Sequence, residues 1–313
     1  MNNLIKTDYD QKYIDYIKSL KGQPSGIDDT LANDFIELLN IGDLKKRSEF
    51  WNKLTVNVNK VSHIPLLANP YFIGFGNPDS EILFLGREKG FNINSNPRGF
   101  LQESINNTLQ WKLIFKNEFK NNEGLDPRNP RLLYKDSIKK IHTWGKYAQI
   151  VGGLVNDLNW ESLIKTYDGN QKNSLFEYCF MSEINHIPSR YSKGVVLNDQ
   201  RLELLQNPFY RKFKYVIIGA MGYLSEDNIQ KMFGVSEPKT TIVLDKIGRN
   251  KDKKFTADVF LTNTQTIVYC RQLSGASGWS KKAIDRLLEI LQNKDDITKI
   301  AKNVYPMTNQ TLG

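Results

Sequence analysis

Three short stretches gather the side chains that do chemistry. Gly86-Arg87-Glu88-Lys89-Gly90-Phe91 sets a carboxylate between two cations in a turn bounded by glycines. Arg87 and Lys89 favour the ionised form of Glu88 and could also hold a phosphate. The same string also reads as a surface turn with scattered charges. Ser182-Glu183-Ile184-Asn185-His186-Ile187-Pro188 offers donors and acceptors of the kind that read the edge of a base. His186 stands before a proline turn, where a structural role is commoner than a catalytic one. Cys270-Arg271-Gln272-Leu273-Ser274-Gly275-Ala276-Ser277-Gly278-Trp279 combines small residues, which let backbone approach a ligand, with the donors Gln272 and Ser274. Lys281 and Lys282 follow it, and Trp279 reads as a packing residue.

Elements able to position these stretches follow from hydrophobic periodicity. Glu81-Ile82-Leu83-Phe84-Leu85 is an unbroken apolar run, as expected of a strand covered on both faces, and it ends at the first stretch. Tyr178-Cys179-Phe180-Met181 ends at the second, and Thr266-Ile267-Val268-Tyr269 at the third. Tyr215-Val216-Ile217-Ile218 is a fourth run of the same kind. Helical spacing lies between them, at Tyr147, Ile150, Val151 and Leu154, at Leu202, Leu204 and Leu205, and near 224–233. Ser280 can cap a final helix whose face is Ala283, Ile284, Leu287, Leu288 and Leu291. Strands alternating with helices predict an α/β fold with a mostly parallel central sheet, flanked by helices in three layers. In such sheets ligands bind outside the carboxyl ends of the strands.

Residues 1–65 read as a helical N-terminal extension, 66–300 as the main domain and 301–313 as a tail. Residues 92–140 interrupt the rhythm, and 240–262 read as an inserted β-hairpin, Thr241 to Leu244 and Phe255 to Leu261, with a charged tip at 248–254. That tip suits a solvated turn and could touch phosphate.

The chain has 313 residues and a formal charge of +9, a balance that attracts polyanions such as nucleic-acid backbones. No stretch approaches the roughly 20 apolar residues of a membrane helix, and the start lacks the pattern of a signal peptide. Cys179 and Cys270 sit in apolar runs and read as reduced core thiols of a cytoplasmic protein. Three scattered histidines and two cysteines offer no ligand cluster, so no metal or other cofactor is expected.

The first and third stretches, with their strands, resemble the uracil-DNA glycosylase superfamily over roughly residues 70–292. Phe72-Ile73-Gly74-Phe75-Gly76-Asn77-Pro78-Asp79-Ser80-Glu81 and the strand after it look like the lead-in to that superfamily's first motif, G-Q-D-P-Y, G-I-N-P-G or G-E-A-P-G, which here reads G-R-E-K-G. Glu88 falls where the first two patterns carry the group that positions the attacking water. Gln272-Leu273-Ser274-Gly275-Ala276 looks most like the second motif, H-P-S and small residues, with no histidine.

The resemblance implies a DNA glycosylase that hydrolyses the N-glycosidic bond of a flipped-out damaged or modified base. Branches that act on modified bases of phage DNA add antiviral defence to that expectation. Glu88, Gln272 and Ser274 are the expected catalytic groups. Gly86, Arg87, Phe91, Ser182, Glu183 and Asn185 are the expected base pocket. Lys89, Arg271, Gly275, Ser277, Lys281 and Lys282 are the expected contacts to DNA. The expected partner is DNA, met by a monomer without a membrane. The alternative is a glycosylase-fold DNA-binding protein that has lost catalysis, and a Rossmann-like enzyme ranks third because G-R-E-K-G is not a Gly-x-Gly-x-x-Gly turn.

Overall fold

A computed structural model describes residues 6–23, 27–57, 61–88, 90, 93, 97–120, 126–130, 142–156, 158–164, 174–188, 197–247, 253–274 and 278–293. Its centre is β2, Ile82–Gly86, with every residue but the last buried. Parallel neighbours flank it, β3 (Phe180–Glu183) on one side and β4 (Tyr215–Ile218) on the other, and β7 (Thr266–Tyr269) pairs parallel to β4. Antiparallel strands close both flanks. β1 (Phe75–Gly76) lies against β3, β6 (Lys253–Leu261) against β7, and β5 (Thr240–Ile247) against β6. The order is β1-β3-β2-β4-β7-β6-β5.

The sheet is therefore mixed, a correction to the mostly parallel expectation. The hairpin of β5 and β6 is a continuation of the sheet through β6, and together with β1 against β3 it supplies the antiparallel share. A second correction concerns β3. Ser174 caps a helical turn, Leu175–Tyr178, by accepting from the Phe176 N–H, so Tyr178 ends a helix and the strand starts two residues later.

Alternation explains the layers. Leu83 and Leu85 of β2, Val216 and Ile218 of β4 and Ile267 and Tyr269 of β7 enter one buried cluster. Ile82, Phe84, Ile217, Val268 and Cys270 enter another on the opposite face. The first face is covered by the N-terminal helices α1 (Tyr9–Leu20), α2 (Asp29–Asn40) and α3 (Leu44–Asn57), with α5 (Asn107–Phe115), α9 (Asp199–Leu205) and α10 (Glu226–Phe233). The second is covered by α6 (His142–Leu154), α7 (Trp160–Leu163), α8 (Leu175–Tyr178) and α11 (Lys281–Gln292). The remaining helix, α4 (Pro97–Phe100), continues into a π turn at Leu101–Ile105 within the stretch at 92–140.

Buried polar groups pin the N-terminal helices to the rest. Arg47 of α3 is fully buried, 3.2 Å from the Asp10 carboxylate, and donates to the carbonyls of Leu39, Ile41 and Ile105. Asn107 of α5 clamps the segment before β1, accepting from Ile73 N–H at 2.8 Å and donating to the Gly74 carbonyl at 3.0 Å. No helix among the described residues is long and apolar enough to cross a membrane.

Candidate functional site

All four parallel strands end on one edge of the sheet, and their exits are laced together by backbone. Ile184 N–H donates to Gly86 O and Asn185 N–H to Arg87 O, both at 2.8 Å. Gly219 N–H reaches Leu85 O, Cys270 N–H reaches Ile218 O and Met221 N–H reaches Cys270 O, each at 2.9 Å. The three stretches singled out in sequence thus share one edge, in the spatial order β3, β2, β4, β7. Glu88 and Gln272 leave strands two places apart, which is about 10 Å at ordinary strand spacing. What lies between them is the exit of β4, Gly219-Ala220-Met221-Gly222-Tyr223, a stretch sequence reasoning passed over. Its small residues, directly after an apolar run, were the available signal.

Glu88 is half-buried and its Oε2 is shielded from solvent. Arg87 stacks its guanidinium over the Tyr223 ring at 4.8 Å, a cation–π geometry, and its buried Nε makes no hydrogen bond among the described residues. Tyr223 is held from the neighbouring strand. The Tyr269 hydroxyl accepts from Tyr223 N–H at 3.1 Å and Leu224 N–H at 3.0 Å and donates to Leu224 O at 3.1 Å. The Glu183 carboxylate lies against the Cα of Gly86, in the space a side chain at position 86 would occupy. Glycine at 86 is what lets that carboxylate cross the β2 exit. Beneath it Tyr147 of α6 stacks on Phe84 at 4.0 Å, and burial, reinforced by Glu183, pushes its phenol well above the ordinary range.

The other expected site residues divide. Ser182 is buried and its hydroxyl accepts from Arg201 Nη2 at 2.8 Å, which ties it to the scaffold. Arg201 is fully buried and also donates to the carbonyls of Pro70, Phe72 and Glu183. Burial lowers its guanidinium to about 10, while Tyr210 and Glu183 push the other way. It remains a cation at neutral pH and fixes the backbone from which Glu183 projects. Asn185 closes a turn by accepting from Ile187 N–H at 3.2 Å. His186 packs edge-to-face on Tyr16 of α1, and burial, with Arg201 nearby, drops its imidazole to about 3.

In the third stretch Gln272 and Ser274 are half-buried, and the Gln272 carbonyl accepts from Trp279 Nε1 at 3.1 Å. Trp279 itself is buried against Phe255, the packing role expected of it. Arg271, Lys281 and Lys282 are exposed. Lys89, Phe91, Gly275 and Ser277 lie outside the described residues. Both cysteines are buried and free, and burial raises their thiols.

No group of three or more His, Cys, Asp or Glu among the described residues could hold a metal ion. Two cavities lie away from this edge. One of about 250 Å³ adjoins Asp79, Ile82 and Tyr215 at the amino ends of β2 and β4, and one of about 150 Å³ separates α1 from α5 near Asp8 and Lys112. Neither includes a residue of the three stretches. No family model matches this chain, and no curated protein or solved structure matches it.

Proposed function

We propose that the chain is a DNA glycosylase that hydrolyses the N-glycosidic bond of a base turned out of the stack, leaving an abasic site. The observation that carries this reading is the meeting, on one sheet edge, of Glu88, Arg87 with Tyr223, Glu183 and the Gln272–Ser274 segment. A carboxylate, a stacking surface and neutral donors are the parts such a reaction asks of a protein. Cleavage develops positive charge on the sugar and negative charge on the departing base. Glu88 as carboxylate orients a water toward C1′, accepts its proton as the new C–O bond forms, and stabilises the sugar cation. The electrons of the broken C–N bond leave with the base, where Gln272, Ser274 and backbone N–H groups of that loop donate to it. Phe91 and Tyr223 are aromatic candidates for the stack against the extruded base. A modified base, including one from phage DNA, is the substrate class that a divergent first motif suits.

Glu88→Gln and Glu88→Ala test the reading on oligonucleotides that carry uracil and a panel of modified bases. The parent protein should form abasic sites on one of them, and each variant should be slower by about 10²–10⁴. Abasic-site formation unchanged in both variants would remove Glu88 from the mechanism. Gln272, where the superfamily's second motif has histidine, favours a second reading, a DNA-binding protein on the same scaffold without catalysis. That protein would shift the same oligonucleotides and release no base.

A further inference from the structure

Arg47 and Arg201 are fully buried, and every nitrogen of both guanidinium groups has an acceptor. Arg87 is treated differently. It is half-buried and its Nε is shut off from solvent, yet that donor has no acceptor among the described residues. Its guanidinium lies instead over the Tyr223 ring, at 4.8 Å. Buried donors without acceptors are few in folded proteins, and they point to a catalytic role or to a partner from outside the chain.

The place of this donor selects the partner. Asn185 N–H holds the Arg87 carbonyl toward β3, whereas the Arg87 side chain runs the other way, over the β4 exit. Tyr223, on which it rests, is held in turn by the Tyr269 hydroxyl at the end of β7. The guanidinium therefore lies between the turn of Glu88 and the segment of Gln272. Phosphodiesters stay with their strand at the protein surface, while a base turned out of the stack is carried inward. A donor shielded from solvent in this gap is placed for the base.

A guanidinium is a rigid planar fork that matches two acceptors side by side. Guanine offers such a pair at O6 and N7, and cytosine at O2 and N3. Adenine sets its amino group beside N1 and N7, and uracil and thymine set N3–H between their carbonyls, so one donor of the fork would face another donor. The paired acceptors also receive charge in the reaction. When the C1′–N bond breaks, its electron pair enters the ring and spreads onto them. The attacking water's proton passes to Glu88 and from there through solvent to the base.

We propose that Arg87, held in orientation by Tyr223, grips the paired acceptors of the extruded base, so that the substrate is a modified base of the cytosine or guanine type. This rests on the glycosylase reading and gives it a substrate class. The test is single-turnover base release from oligonucleotides carrying modified bases in matched pairs that differ in the acceptor pair. Hydroxymethylcytosine is set against hydroxymethyluracil, and guanine methylated on its amino group against the same base with carbon in place of N7. Within each pair the ratio of rates is compared among the parent, Arg87→Lys and Arg87→Gln, because a ratio does not depend on how much of a variant is folded. The parent should release the member with the acceptor pair, and its ratio should fall about ten- to a hundredfold in both variants. The pair that responds distinguishes cytosine from guanine. A base without the acceptor pair as the best substrate, or parent ratios kept in both variants, overturns the assignment and leaves the glycosylase reading standing. Parent ratios together with weaker binding of the oligonucleotide overturn it in favour of a phosphate contact. Release of no base from any oligonucleotide overturns both.

Discussion

Gly86 and Gly76 illustrate how differently two glycines of one segment are used. A Cβ at 86 meets the end of the Glu183 side chain, which can swing away. A Cβ at 76 meets the Cys179 carbonyl, at a backbone φ of 103° that disfavours any side chain. Gly86→Ala should therefore cost within about 1 kcal/mol of stability in urea titration while displacing Glu183 and lowering base release. Gly76→Ala should cost about 1–3 kcal/mol. A large stability loss in Gly86→Ala would show that Glu183 is held too firmly to yield.

His186 makes a prediction about pH. Its imidazole falls to about 3 in the folded chain from an ordinary 6.5, so above that ordinary value it is neutral in both states and adds no pH dependence. As the pH drops, the unfolded chain takes the proton first, and stability is lost progressively down to about pH 3. Urea midpoints taken from about pH 7 to about pH 4 should fall less steeply in His186→Phe than in the parent. Equal slopes would place the proton elsewhere. Glu88, Gln272 and Ser274 stand out in the sequence as candidates because of their types and their position after apolar runs. Tyr223 was not, since its part comes from Arg87 stacking on it and from the Tyr269 hydroxyl that holds its backbone.

At the scale of elements, the cap of the final helix was readable and the sheet edges were not. Ser280 was expected to cap α11 and does so, accepting from Ala283 N–H at 3.0 Å. It also donates to Asp245 on β5, so one hydroxyl joins the helix start to the β5–β6 hairpin. Ser280→Ala should cost about 1–2 kcal/mol in urea unfolding, the upper part of the range for a lost cap because two partners are affected. A cost under about 0.5 kcal/mol would mean that water replaces the hydroxyl at both. The strand at 178–181 was misplaced because Tyr178-Cys179-Phe180 is apolar in either state, and the local cap at Ser174 decides where the helix stops. The hairpin was located closely, but its pairing to β7 depends on partners far apart in sequence.

For the whole molecule, the N-terminal helices share one buried cluster with β2, β4 and β7, so they should unfold with the sheet. Far-ultraviolet circular dichroism and tryptophan fluorescence should report coincident urea transitions, Trp51 lying in α3 and Trp111 in α5. Arg47→Met should shift both together by about 3–5 kcal/mol, because it strands the Asp10 carboxylate and three carbonyls in the interior. Two separate transitions would show that the extension folds independently. By itself the sequence determined the α/β class, four apolar runs of which three lead into chemically distinctive turns, the capped final helix and the basic charge, because each follows from short-range periodicity or from composition. Only the tertiary structure decided that β3, β2, β4 and β7 lie in that order with their exits on one edge. It also decided that the sheet is mixed, that Arg201 takes the Ser182 hydroxyl, and that the β5–β6 hairpin runs on past the carboxyl end of β7. The physical reason is that strand order, register and the burial of a charge are settled by long-range pairing and by desolvation, which residue spacing along the chain does not encode.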